Sequence, residues 1–335
     1  MKPEKGAARL LVLTEAVILT AAVVFGGVRK LRASTTEETN PPARTETQEI
    51  IAAETEEETE LPEEEALETP EETGFAPEVT EKVAAMTLEE KVAQMFLTSP
   101  ESLTQSEQVS IAGQGTRNAM DTYPVGGIVY SDTNFQGREQ VGNLIFNALG
   151  ISEERIGLPL FVAATADGGG GTPTIGISDA FEEDALVEVL AAKELNAESA
   201  GVTMPVTFPQ TQVAADTPWV MLAADADEAV TGETDLPCAL SAQCVVQVRG
   251  MGYQGVILTD SLAAENIKSQ YETAEAAVLA VKAGADLIYC PENFPDAYAA
   301  VLAAAEAGEI AEEQIDNAVG RILTRKYRMN GTLAE

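Results

Sequence analysis

After about Glu81, short runs of β-branched and apolar residues alternate with alanine-rich stretches of helical character, and this alternation constrains the fold more than any other feature. Strands that recur between helices imply a parallel sheet with crossover helices. The candidate strands are Gln94–Thr98, Gly127–Tyr130, Leu160–Ala164, Val202–Thr207, Trp219–Ala223, Gly255–Thr259 and Asp286–Cys290. Helices are expected at Thr87–Gln94, Arg138–Leu149, Glu182–Ser199, Ser241–Met251, Ala274–Ala283, Pro295–Ala307 and Ala311–Met329. The pattern predicts an α/β fold of the TIM-type (β/α) barrel class. Seven strands are one short of a closed ring of eight, so either one strand is unread or the barrel is abbreviated.

The alternation starts late. Leu10 to Val28 is nearly continuous apolar sequence, interrupted mainly by Glu15 and long enough for a helix to cross a bilayer. Residues 1–34 therefore read as a membrane anchor. A cleaved signal peptide is the competing reading, because Lys2, Lys5 and Arg9 form a basic leader; against it stand the length of the run and the following Arg29, Lys30 and Arg32. Residues 35–80 are dominated by Glu, Thr and Pro and cannot bury enough surface to offset chain entropy, so they read as a disordered acidic linker. Like charges should keep that linker extended. The globular domain is expected over 81–330.

The chain has 335 residues and is 45% hydrophobic, enough for a substantial core. Its formal net charge of −35 repels a polyanion, which excludes nucleic acid as a partner. No histidine is present, so imidazole is excluded as base, proton shuttle or metal ligand. Chemistry is left to carboxylates, hydroxyls or thiols. Cys238, Cys244 and Cys290 are an odd number at no zinc-like spacing, and they read as free buried thiols rather than a disulfide framework or a metal site.

Five stretches in order carry a family resemblance: MTLEEKVAQMF from Met86, YPVGGIVYSDTN from Tyr123, GLPLFVAATADGG from Gly157, GMGYQGVILTDSLA from Gly250, and AVLAVKAGADLIYCP with the later EEQIDNAVGRILTRKY. Together they resemble the N-terminal domain of glycoside hydrolase family 3, in particular its single-domain β-N-acetylglucosaminidases. The resemblance implies retaining hydrolysis of β-linked amino sugars of the peptidoglycan type, without metal or organic cofactor. One carboxylate attacks the anomeric carbon; a second group protonates the departing oxygen and then activates water. Asp260 matches the nucleophile position, at the C-terminal end of a strand where barrel enzymes gather catalytic groups. An Asp capping the following helix is the rival reading.

Elsewhere the expected contacts are replaced. The family's acid/base histidine has no counterpart in a chain without histidine. Its Lys-His-Phe-Pro-Gly stretch corresponds to Val206, Thr207, Phe208, Pro209 and Gln210. The sugar-binding aspartate aligns with Thr165, the arginine after the paired glycines falls near Pro173, and another histidine position holds Ala224. The span from Gly170 to Trp219 is also shorter than the family pattern. Candidate substrate-binding residues are Asp167, Thr165, Thr207 and Asp225.

Asp167, Asp225 and Asp227 would share the barrel face of Asp260, where one could replace the acid; the alternative is that all three are solvated loop positions. A retaining pair needs carboxyl groups about 5 to 5.5 Å apart. The Gly168–Gly171 run lacks a P-loop lysine and dinucleotide spacing, so it reads as a turn rather than a phosphate cradle. Trp219 opens a core strand and reads as packing before it reads as a sugar platform. Two functions are compatible with these residues: a family 3-like β-glycosidase, or a non-catalytic glycan-binding or protein-interaction module of unknown protein partners, in either case anchored by the N-terminal helix and facing outward.

Overall fold

The computed structural model describes residues 74–165, 174–176, 205–290 and 292–333. The anchor segment, nearly all of the acidic linker and the Glu182–Ser199 helix expected from sequence lie outside the described residues. Among the described residues no helix is long and apolar enough to cross a membrane.

The strands are β1 (Phe96–Thr98), β2 (Gly127–Tyr130), β3 (Phe161–Ala164), β4 (Thr174–Gly176), β5 (Val206–Phe208), β6 (Val220–Leu222), β7 (Ile257–Thr259) and β8 (Ile288–Cys290). All but β4 fall at or against the expected strand positions. They form two sheets, β4-β3-β2-β1-β8 and β5-β6-β7, and a parallel bridge between Leu258 and Leu287 joins β7 to the entry of β8. The parallel strands thus follow one another around the barrel as β3-β2-β1-β8-β7-β6-β5. β1, β2, β6, β7 and β8 are buried along their whole length, which is why their sequences read as continuous apolar runs rather than alternating ones.

β4 was not expected, and it pairs antiparallel with β3, setting Ala163 opposite Ile175. Among the described residues no parallel strand stands between β3 and β5.

Local signals explain most helix boundaries. Thr87 caps the helix Leu88–Gln94 through a reciprocal box in which the Glu90 amide donates to Thr87 Oγ1 and the Thr87 amide donates to Glu90 Oε2. The helix from Arg138 runs on to Ile156 rather than stopping at Leu149. Gly150 stays helical, and Gly157, at φ +64°, ends the helix instead. Packing also begins upstream of Glu81: the helix Pro77–Ala85 buries Val79 completely.

The last helix, Glu312–Met329, closes the N-terminal end of the barrel. Its Lys326 is fully buried, donates to Gln94 Oε1 at 2.8 Å and lies 5.0 Å from the Phe161 ring centroid. Gln94 Nε2 in turn donates to the carbonyls of Pro124 and Val125, so this one polar chain ties the closing helix to the entries of β1 and β2. Among the described residues the Lys326 amine is bonded to the Gln94 amide rather than to a carboxylate, and burial pushes it down to about 7.

An unfolded lysine titrates near about 10.4. Between those values the unfolded chain holds a proton that the folded chain has released, so stability rises with pH, at most by about 1.4 kcal/mol per pH unit from this group. Urea unfolding between about pH 7 and pH 9.5 should show this slope, and Lys326→Met should flatten it. An unchanged slope in the variant would assign it to other groups.

The cysteine expectation needs correction. Cys238 and Cys244, both fully buried, form a disulfide with Cα atoms 5.7 Å apart. The short 3₁₀ turn Cys238–Leu240 leads directly into the helix Ala242–Gly250 and folds the two Cβ atoms toward each other, a proximity that spacing alone did not reveal. Cys290 remains a free buried thiol, as expected.

Candidate active site

β6, β7 and β8 deliver the key residues to the C-terminal face of the barrel. Beyond β7 the chain is stitched to both neighbours: the Asp260 amide donates to Leu222 O at 2.8 Å, and the Leu262 amide donates to Tyr289 O at 2.9 Å. Thr259 Oγ1 accepts from the Tyr289 amide at 3.0 Å. These bonds fix the backbone on either side of Asp260, so the direction of its side chain is set by the sheet.

The Asp260 carboxylate is half-buried and held by two amides, with Oδ1 accepting from Ser261 at 2.7 Å and Oδ2 from Ala224 at 3.3 Å. The next helix, Glu265–Lys268, has Ala264 at its N-cap, so Asp260 is not the cap of that helix. Burial raises the Asp260 pKa above the ordinary carboxylate range; the Ser261 and Ala224 amides oppose this, and the charge of Asp225 adds to it. Asp225 is exposed, accepts a hydrogen bond from Asn266 Nδ2, and is the second carboxylate at this position.

The remaining sequence candidates divide. Thr165 ends β3 on the same face but is buried, and its hydroxyl is engaged with the Tyr289 phenol. Tyr289 is fully buried; burial raises its pKa first, the negative charge of Asp260 raises it further, and the Thr165 hydroxyl opposes both. Thr165, Tyr289 and Asp260 therefore form one polar group at the ends of β3, β8 and β7. Thr207 is half-buried in β5, in register with Met221 of β6. Asp227 caps the short helix Glu228–Thr231, with Oδ1 accepting from the Ala229 amide at 3.1 Å. Asp167, Pro173 and the glycine run lie outside the described residues.

A second polar knot braces the same face at the end of β2. Fully buried Asn134 donates to Glu101 Oε1 at 2.5 Å and Val109 O at 2.8 Å, and accepts from the Ser131 amide at 2.8 Å. Trp219 is packing, as its strand position suggested: it is fully buried, edge-on to Phe161 at 4.9 Å, with Arg325 5.3 Å from its ring centroid. Tyr289 and Asn266 were not singled out from sequence. Tyr289 sits inside a correctly read strand, but nothing in local spacing shows which strand ends meet across the barrel. Among the described residues no group of histidine, cysteine or carboxylate side chains could hold a metal ion.

Residues 192–325 match the family model described as the glycosyl hydrolase family 3 N terminal domain. The domain resembles the N-terminal domain of glycoside hydrolase family 3. That match contains β5 to β8, Asp225 and Asp260. Among solved structures, a family 3 β-N-acetylglucosaminidase from Paenibacillus sp. str. FPU-7 aligns with a TM-score of 0.57 at 24% identity, over 75% of this chain and 64% of that one. This chain thus corresponds to less than two thirds of that enzyme's length. A family 3 glycosyl hydrolase from Mycobacterium smegmatis aligns with a TM-score of 0.51 at 17% identity, over 73% of this chain and 98% of the other. A β-N-acetylhexosaminidase from Beutenbergia cavernae aligns with a TM-score of 0.50 at 19% identity, over 72% and 98%. These likenesses show a shared fold. No curated protein sequence matches this chain.

Proposed function

We propose that this is a family 3-like retaining β-glycosidase acting on β-N-acetylated amino sugars, with Asp260 as nucleophile. The observation that carries this reading is the Asp260 carboxylate, fixed by two backbone amides at the C-terminal end of β7 and bordered by the second carboxylate of Asp225. In the reaction, an Asp260 oxygen bonds to the anomeric carbon as the glycosidic C–O bond breaks, and the Asp225 carboxyl gives its proton to the departing oxygen. Water then attacks the glycosyl ester, Asp225 takes the water's proton, and Asp260 is released as carboxylate. Asn266 orients Asp225 in the part that a histidine plays in the β-N-acetylglucosaminidases this chain resembles.

The reading includes an outward-facing domain anchored by residues 10–28. The buried disulfide Cys238–Cys244 supports it, since disulfides persist in oxidising compartments.

One observation favours a non-catalytic glycan-binding or interaction module instead. The hydroxyl of Thr165 is engaged inside the barrel, and Asp227 serves as a helix cap, so neither is turned to a substrate. The test is hydrolysis of a fluorogenic aryl β-N-acetylglucosaminide by the full chain. An aryl leaving group needs little protonation, so turnover reports on the nucleophile alone. Steady turnover supports the glycosidase. No turnover by a chain that is folded by circular dichroism would make the binding module the leading account.

A further inference from the structure

The loop that follows β6 carries two of the groups placed around Asp260, the Ala224 amide and the Asp225 carboxylate, yet it has little burial of its own. From Asp225 to Leu236 only Thr231 is buried. Segments so exposed open at the low end of a protein's range of local stabilities. The shape of this loop is set at its two feet, which meet in a short antiparallel ribbon. Ala226 is bridged to Pro237, the Cys238 amide donates to Asp225 O at 3.1 Å, and the Ala239 amide donates to Ala223 O at 2.9 Å.

The returning foot carries the disulfide. Cys238 is joined to Cys244 in the first turn of the helix Ala242–Gly250, and both are fully buried. That helix is itself fixed to the barrel, because Arg249 reaches Asp286 Oδ2 at 2.6 Å and the Gly255 carbonyl at 2.7 Å. A continuous path of bonds therefore runs from the barrel through this helix and the S–S bond to the Cys238 amide, and on to the backbone of Asp225. Ala224 lies between Ala223 and Asp225, the two residues whose carbonyls the returning foot holds. Backbone hydrogen bonds at an exposed loop compete with water, whereas a cross-link lowers the entropy gained when the loop opens.

We propose that the Cys238–Cys244 disulfide is a positioning cross-link of the candidate active site: it locks the returning foot of the β6 loop and so holds the Ala224 amide and Asp225 against Asp260. Its effect on turnover rests on the glycosidase reading; the bracing itself does not. Asp225 has the most to lose, since it is exposed and its carboxylate is otherwise held by Asn266.

The experiment compares amide hydrogen exchange of the full chain with that of the Cys238→Ala/Cys244→Ala double variant, beside hydrolysis of an aryl and an alkyl β-N-acetylglucosaminide. In the unaltered chain the amides of residues 238 and 239 should exchange at least about tenfold more slowly than those of Gly232 and Glu233 at the loop tip. In the double variant they should speed up at least about tenfold more than the amides of Phe161 and Ile288, which are bonded to the Gly126 and Met95 carbonyls on other strands. If the variant does not fold, the comparison within the unaltered chain decides. Alkyl hydrolysis, which needs the acid, should fall at least about tenfold more than aryl hydrolysis. Hydrolysis of neither substrate by the unaltered chain would sink the glycosidase reading and leave exchange to judge the brace. Feet that exchange as fast as the tip, equal acceleration throughout the variant, or equal loss on both substrates would overturn the proposal.

Discussion

Asp286→Ala should destabilise the domain by about 3–5 kcal/mol, the usual consequence of removing one partner from a buried ion pair. Asp286 is fully buried just before β8, and three elements converge on its carboxylate. Arg321 of the closing helix donates to Oδ1; Arg249 of the helix Ala242–Gly250 and the Ile257 amide of β7 donate to Oδ2, the last at 2.8 Å. Burial pushes the carboxyl up to about 6, against the Arg249 charge and the Ile257 amide, so it is ionised at neutral pH. The alanine variant would leave two guanidiniums facing a buried void. Arg249 would keep its bonds to the Tyr253 and Gly255 carbonyls, which offsets part of the loss. Urea unfolding at pH 7 measures the difference, and a loss below about 1 kcal/mol would mean that water compensates the arginines.

The second large effect concerns catalysis. Asp260→Ala should lower kcat/KM for the aryl substrate at least about 10³-fold, because without the carboxylate no glycosyl ester can form. Its stability should change little by comparison, since among the described residues the carboxylate accepts two amide hydrogen bonds and enters no ion pair. Asp225→Asn separates the two carboxylates. It should spare the aryl substrate and impair a natural disaccharide by about 10²-fold or more, as expected for loss of a general acid. Equal damage to both substrates would sink the role given to Asp225.

Much of this domain was legible in the sequence because parallel strands buried on both faces write themselves as short apolar runs. Gly127–Tyr130 and Leu160–Ala164 were found in this way, as was the end of β7 that carries Asp260. β4 was missed because three residues that follow a proline and end in a glycine carry no periodicity. The helix expected to end at Leu149 runs on through Gly150 to Ile156, and Gly157 has the left-handed backbone that ends it. The hydrogen bond between Tyr289 and Thr165, and the effect of the Asp260 charge on Tyr289, join residues far apart in sequence and depend on which strands are neighbours rather than on local spacing.

The pairing of β1 bears on how such a chain matures. β1 lies between β2, its near neighbour in sequence, and β8, close to the other end of the chain. A nascent polypeptide can form the β1–β2–β3 portion early, but one edge of β1 stays open until Ile288–Cys290 has been synthesised, and the barrel mouth stays uncovered until Lys326 follows. An open edge of apolar strand invites pairing with other chains. Deletion of the helix Glu312–Met329 should therefore yield an aggregating product rather than a smaller folded one, and the half-made barrel needs protection from other chains until that helix has been added.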